Sequence, residues 1–158
     1  MFPVAGDRKP VPFAASPFIE IEGRFSPDGR WIAYASDETG RSEIYVQPVP
    51  PSGAKWQVSS TGGTQPSWRR DGKELFYLAA DRNLMAAAIT SGATLQAGVP
   101  KALFETRTLP VNVIFPHVYQ PSTHGRRFLI ITMFEEAEQR PVSVVVNWQA
   151  GLSAEPRP

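Results

Sequence analysis

The sequence contains no cysteine. Disulfides, zinc–thiolate centres and thiol catalysis are therefore excluded, while the cellular compartment stays open. Only two histidines occur, His117 and His124, and they stand in no HExxH or similar spacing. A histidine metal site is not expected from such a pair. The chain lacks any run of about 18 apolar residues, so no membrane-spanning helix is expected. Met1 to Pro12 carries no apolar signal core, and no export signal is expected within the chain. Charge of one sign is also missing: 16 Lys and Arg against 15 Asp and Glu leave a net charge of +1. That balance, without a basic run, gives no reason to expect nucleic acid.

Catalytic signatures are equally scarce. There is no GxSxG elbow for a serine nucleophile. Gly62-Gly63 and Gly92 lack the lysine and helix of a phosphate-binding loop. The kinase motifs for ATP and magnesium are absent. No carboxylates pair for acid–base work. Asp28 and Asp71 read as turn formers, Asp37 and Glu38 as solvated loop residues, and Glu135, Glu136 and Glu138 as a solvated charge run. No calcium loop, and no cofactor, is expected.

What the chain has in quantity is proline and glycine, 16 and 12 in 158 residues, spread along its length. This punctuation suits many short strands and disfavours long helices. Leu84 to Ile89 has the alanines of a helical turn but is too short for its periodicity to decide.

The most informative feature is internal repetition. Phe25-Ser26-Pro27-Asp28-Gly29-Arg30-Trp31-Ile32-Ala33-Tyr34 recurs as Trp68-Arg69-Arg70-Asp71-Gly72-Lys73-Glu74-Leu75-Phe76-Tyr77. A weaker third copy is Pro121-Ser122-Thr123-His124-Gly125-Arg126-Arg127-Phe128-Leu129-Ile130. The turn glycines, Gly29, Gly72 and Gly125, are 43 and 53 residues apart. Each turn pair (Asp28-Gly29, Asp71-Gly72, His124-Gly125) lies between apolar runs, as a hairpin requires, with glycine supplying the positive φ. A second strand follows each turn, at Trp31 to Ala35, Leu75 to Leu78 and Phe128 to Thr132. A third is expected at Glu43 to Val46, Leu84 to Ile89 and Val142 to Asn147. Outer strands are expected at Lys55 to Ser59 and Ala102 to Phe104, and Lys9 to Ala15 reads as the outer strand of a preceding unit. Trp31, Tyr34, Phe76, Tyr77, Phe128, Phe25 and Trp68 are expected in the core between units, with Trp148 capping the last.

The run "FSPDGRWIAYASDETGRSEIYV" resembles the repeat of TolB-like β-propellers, relatives of WD-repeat proteins. With "GGTQPSWRRDGKELFYL" and the ending "VVVNWQAGL", the chain resembles the C-terminal propeller region of some bacterial serine/threonine protein kinases. The resemblance implies an all-β fold: a β-propeller of about three four-stranded antiparallel blades. The blades fall at about 16–60, 61–105 and 106–152 within a repeat region 9–152, between tails 1–8 and 153–158. Closed propellers need about four to eight blades, so this is a partial propeller. Further blades would come from a longer polypeptide. The alternative is a homodimer making a six-bladed ring, each N-terminal strand completing its partner's last blade.

The function expected is a non-catalytic protein- or ligand-binding scaffold, not an enzyme. The alternative is a fragment of a larger kinase or peptidase whose catalytic domain lies outside the chain. The partner expected is a protein or peptide, with neither nucleic acid nor membrane insertion. In a longer exported or membrane-anchored protein, the resemblance implies a periplasmic or extracytoplasmic location. The family's habit points to a binding rim built by the loops at one end, which hold Asp37, Glu38, Arg41, Asp81, Arg82, Arg107, His117, Glu135 and Arg140. Arg24, Ser67 and Gln120 occupy equivalent inner-strand positions and form no acidic or histidine cluster of the kind a channel enzyme needs.

Overall fold

A computed structural model describes residues 9–10, 12–108 and 117–132. Among these the fold is all-β, with no helix and with antiparallel sheets. The first sheet has the order β1(Glu20–Phe25), β2(Trp31–Ser36), β3(Glu43–Pro48), β4(Trp56–Gln57). The second runs β5(Thr64–Trp68), β6(Glu74–Leu78), β7(Asn83–Ser91). Along β7 two further strands pair, β8(Leu95–Ala97) at its end and β9(Lys101–Glu105) at its start. A last hairpin joins β10(Tyr119–Pro121) to β11(Phe128–Ile130).

The three repeats fold alike at their first turn. In each, the residue three before the turn glycine accepts that glycine's N–H through its carbonyl: Ser26 from Gly29, Arg69 from Gly72, Ser122 from Gly125, at 2.8–2.9 Å. The same residue's N–H donates to a carbonyl five residues on, at Trp31, Glu74 and Arg127. All three glycines have φ of +66° to +71°, a region that costs other residues strain. In the first and third turns a serine hydroxyl also accepts a backbone N–H, Ser26 from Trp31 and Ser122 from Arg127. Arg69 replaces that serine in the second turn. Its guanidinium braces the turn instead, through Asp71 and Glu74 at 2.7 Å. The departure of the third copy, His124 for aspartate, leaves the turn intact.

The core forms between sheets because β2 and β6 are apolar on both faces. Trp31, Ala33, Ala35, Ile44 and Val46 of the first sheet pack on Leu75, Tyr77, Ala87 and Ile89 of the second. Phe76, Leu78 and Leu84, from the other face of the second sheet, pack on Val118, Tyr119, Phe128 and Ile130. Burying each large side chain contributes roughly 1.5–3 kcal/mol.

Leu84 to Ile89 forms the expected third strand, within β7, which is paired on both sides. Two other expectations are corrected, and one strand was not foreseen. The hairpin to β8 was not expected; its turn is closed by the Gly92 N–H, which donates to the Thr94 carbonyl at 2.9 Å. Lys9 to Ala15 forms no strand among its described residues, Pro10 and Pro12 removing ladder donors there. Phe13 instead lies edge-on to Tyr34, ring centroids 6.2 Å apart. Phe25, expected in the core, is 56% exposed, whereas Trp68 is half-buried and packs against the core between the sheets. The expected strand Val142 to Asn147 and Trp148 lie outside the described residues.

Candidate functional site

The inner strands β1 and β5 carry the same irregularity. Each shifts register against its neighbour, between Ile21 and Arg24 in one and between Thr64 and Ser67 in the other. Glu22 and Gln65, 43 residues apart, both adopt positive φ, +61° and +56°. A bulge of this kind bends a strand and re-aims the side chains beside it.

Two consequences follow at the strand crossings. The first is a seam between sheets. The Gln65 N–H donates to the Glu22 carboxylate at 2.5 Å, and the Val118 N–H donates to the Gln65 side-chain carbonyl at 2.8 Å. Val118 stands 53 residues after Gln65, the same offset as the turn glycines. Each bulge side chain thus accepts the corresponding backbone N–H of the next unit. The Tyr119 hydroxyl adds a bond to the Gln65 backbone carbonyl at 2.7 Å, and the Trp68 indole one to the Arg24 carbonyl at 3.0 Å. Burial pushes the Glu22 carboxyl up, opposed by the Gln65 N–H and by Arg24. Burial also raises the Tyr119 hydroxyl well above its ordinary value, so it remains a neutral donor.

The second consequence is a cleft. Beyond the bulges, Arg24, Ser67 and Gln120 converge with Phe25, Pro27, Trp68 and His117 around a cavity of about 360 Å³. The equivalence of the first three was legible in the repeat, and the structure brings them side by side. His117 is half-buried there, and desolvation together with Arg24 holds its imidazole below the ordinary pKa.

His117 therefore parts from the other expected rim residues, of which Asp37, Glu38, Arg41, Asp81 and Arg82 are tied to neighbouring loops and strand ends. Asp37 accepts the Ile19 N–H at 2.9 Å. Glu38 pairs with Lys55. Arg41 reaches Glu43 at 2.7 Å and the Ser60 carbonyl. Asp81 accepts from the Asn83 backbone and side chain, and Arg82 lies 3.6 Å from Glu105. Arg107 is exposed just past β9. Glu135 and Arg140 lie outside the described residues.

Glu43 was read only as the start of a strand. It is fully buried, and its carboxylate gathers Arg41, the Ser59 hydroxyl and the Gly62 N–H. The Ser59 hydroxyl in turn accepts the Ile44 N–H at 2.8 Å. This cluster ties the strand ends to the connection between the two sheets. A carboxylate opening an otherwise apolar strand, in "EIYV", was the available signal.

Among the described residues, no three His, Asp or Glu side chains converge as a metal-binding group. The cleft offers one guanidinium, a hydroxyl, an amide and an imidazole beside two aromatic rings. That is chemistry for hydrogen bonding and charge recognition. No protein-family model matches the chain, and no curated protein matches it.

Proposed function

We propose that this chain is a section of a TolB-like β-propeller and works as a non-catalytic module that binds a protein or peptide. The observation that carries the reading is the repeated seam Glu22–Gln65–Val118. One geometric relation takes the first sheet to the second and the second to the hairpin, as successive blades of a propeller require.

The faces repeat in the same way. Ile32, Leu75 and Phe128 are equivalent, as are Tyr34, Tyr77 and Ile130. In the second sheet and the hairpin these residues pack on the preceding unit. In the first sheet Ile32 and Tyr34 cluster with Tyr45, and the partly buried hydrophobics packed on them are Phe13 and Val49. At the other end Leu129 is 76% exposed and Ile131 43%. Their equivalents, Phe76 and Leu78, cover the following unit. The hairpin end of the array thus presents a face of the type that packs within it, while the outer face of the first sheet is already buried. A further blade, from a longer polypeptide or a second copy, would cover the hairpin face.

Binding rather than catalysis is supported by a sequence whose repeats carry no catalytic motif and by polar inner-strand residues meeting in an open cleft. A thermal-shift screen against a peptide library tests the reading. Saturable stabilisation by a subset of peptides is expected. Turnover of peptidase or phosphotransferase substrates by the purified chain would overturn it.

A further inference from the structure

We propose that the cleft at the ends of the inner strands recognises the carboxylate of an acidic residue in an extended peptide. Arg24 is its ion-pair partner, Ser67 and Gln120 donate hydrogen bonds, and Phe25 with Trp68 supports an apolar neighbour. This rests on the binding-module reading and names its ligand class.

Three observations carry it. First, the lining is matched to an anion. Arg24 is exposed into the cleft, and among the described residues no Asp or Glu lines it. Ser67 and Gln120 supply neutral donors beside it. An Arg–carboxylate pair is stronger than a neutral hydrogen bond and can be bidentate. Glu22, the acid nearest along the strand, is held on the seam by the Gln65 N–H. Second, Phe25 has no place in the core. It is a 56%-exposed phenylalanine that lines the same cleft as Trp68. The Trp68 indole is anchored by its bond to the Arg24 carbonyl, so the ledge is fixed before a ligand arrives. An aromatic surface beside a directional polar group is a common design of ligand sites. Third, the positions are set by rigid elements. The paired bulges and the seam hold Arg24, Ser67 and Gln120 on three separate strands. A cavity of about 360 Å³ admits one side chain and the backbone that carries it, not a folded domain. With His117 neutral near pH 7, Arg24 is the one full charge among the described lining residues.

The test is an NMR titration of the ¹⁵N-labelled full chain with two blocked pentapeptides. One has a central glutamate flanked by leucines; the other has glutamine in its place. The glutamate peptide is expected to shift the amides of Arg24, Ser67 and Gln120 saturably, and to bind at least about tenfold more tightly than its counterpart. Arg24→Ala should erase that preference while leaving the urea midpoint unchanged, since its side chain is exposed. Arg24→Lys should keep part of it, and Phe25→Ala should weaken both peptides equally. Equal affinity for the two peptides overturns the proposal, as does a preference that survives Arg24→Ala. Saturable shifts confined to the Asp37–Arg41 and Asp81–Arg82 loops overturn the cleft and leave the binding-module reading standing. No saturable shift with either peptide, together with an empty library screen, overturns both.

Discussion

Replacing Gln65 with alanine removes the side-chain hydrogen bond that ties the second sheet to the hairpin. Gln65 is fully buried, and its side-chain carbonyl is the acceptor for the Val118 N–H. Without it that N–H is stranded in the core, at about 1–3 kcal/mol. The lost methylene adds about 0.8 kcal/mol. One gain opposes this: the Gln65 amide nitrogen is itself buried without a partner, and its removal returns on the order of 1 kcal/mol. The net loss is therefore about 2 kcal/mol. Gln65→Leu fills the space and also discards that nitrogen, so about 1 kcal/mol is expected. Urea unfolding followed by tryptophan fluorescence gives the totals, and hydrogen exchange at the Val118 amide gives the local effect. Exchange should accelerate in both variants and stay slow in Gln65→Glu, which keeps an acceptor oxygen. A loss below about 0.5 kcal/mol in Gln65→Ala, with Val118 exchange unchanged, would refute the seam as a stabilising element.

Three further outcomes are expected. Gly29→Ala should cost about 1 kcal/mol through its positive φ alone, because open space surrounds the added methyl. Gly125→Ala should cost about 1–3 kcal/mol more, since its Cβ would lie 2.7 Å from the buried Phe76 ring; equal urea midpoints for the two variants would contradict this. Glu43→Ala strands the Ser59 hydroxyl and the Gly62 N–H, and about 2–4 kcal/mol of lost stability is expected in the same urea assay; a wild-type midpoint would contradict the bracing role. Acid should destabilise the turns. Hydrogen bonds from Ser26, Arg69 and Asn83 depress the carboxyls of Asp28, Asp71 and Asp81, Asp71 to about 2. A depressed carboxyl contributes stability above its unfolded value of about 4 and loses it as pH falls through the folded value. Glu22, raised by burial, acts with the opposite sign and is relieved by acid. The urea midpoint should fall between about pH 4 and pH 2, and less so in Asp71→Asn; identical slopes for the two proteins would contradict the assignment.

Local patterning by itself determined the three repeat turns and most of the strands among the described residues. Turn chemistry depends on neighbours in sequence, so Asp28-Gly29, Asp71-Gly72 and His124-Gly125 marked three hairpins that the structure contains. The apolar runs after them, Trp31 to Ala35 and Leu75 to Leu78, became β2 and β6, buried on both faces. The repeat also placed Arg24, Ser67 and Gln120 in register. What those residues do together was decided by contacts between units far apart in the chain. The bulges at Glu22 and Gln65 leave no distinctive local signature, yet they aim one side chain into the next sheet and leave Phe25 outside the core. The same holds for Glu43, whose partners at Ser59 and Gly62 come from beyond the neighbouring strand. The His117 side chain, grouped with the loops by its position in the sequence, joins the cleft because the inner strands converge there. Periodicity selects which residues can face inward. Only the packing of one sheet on the next selects which of them meet.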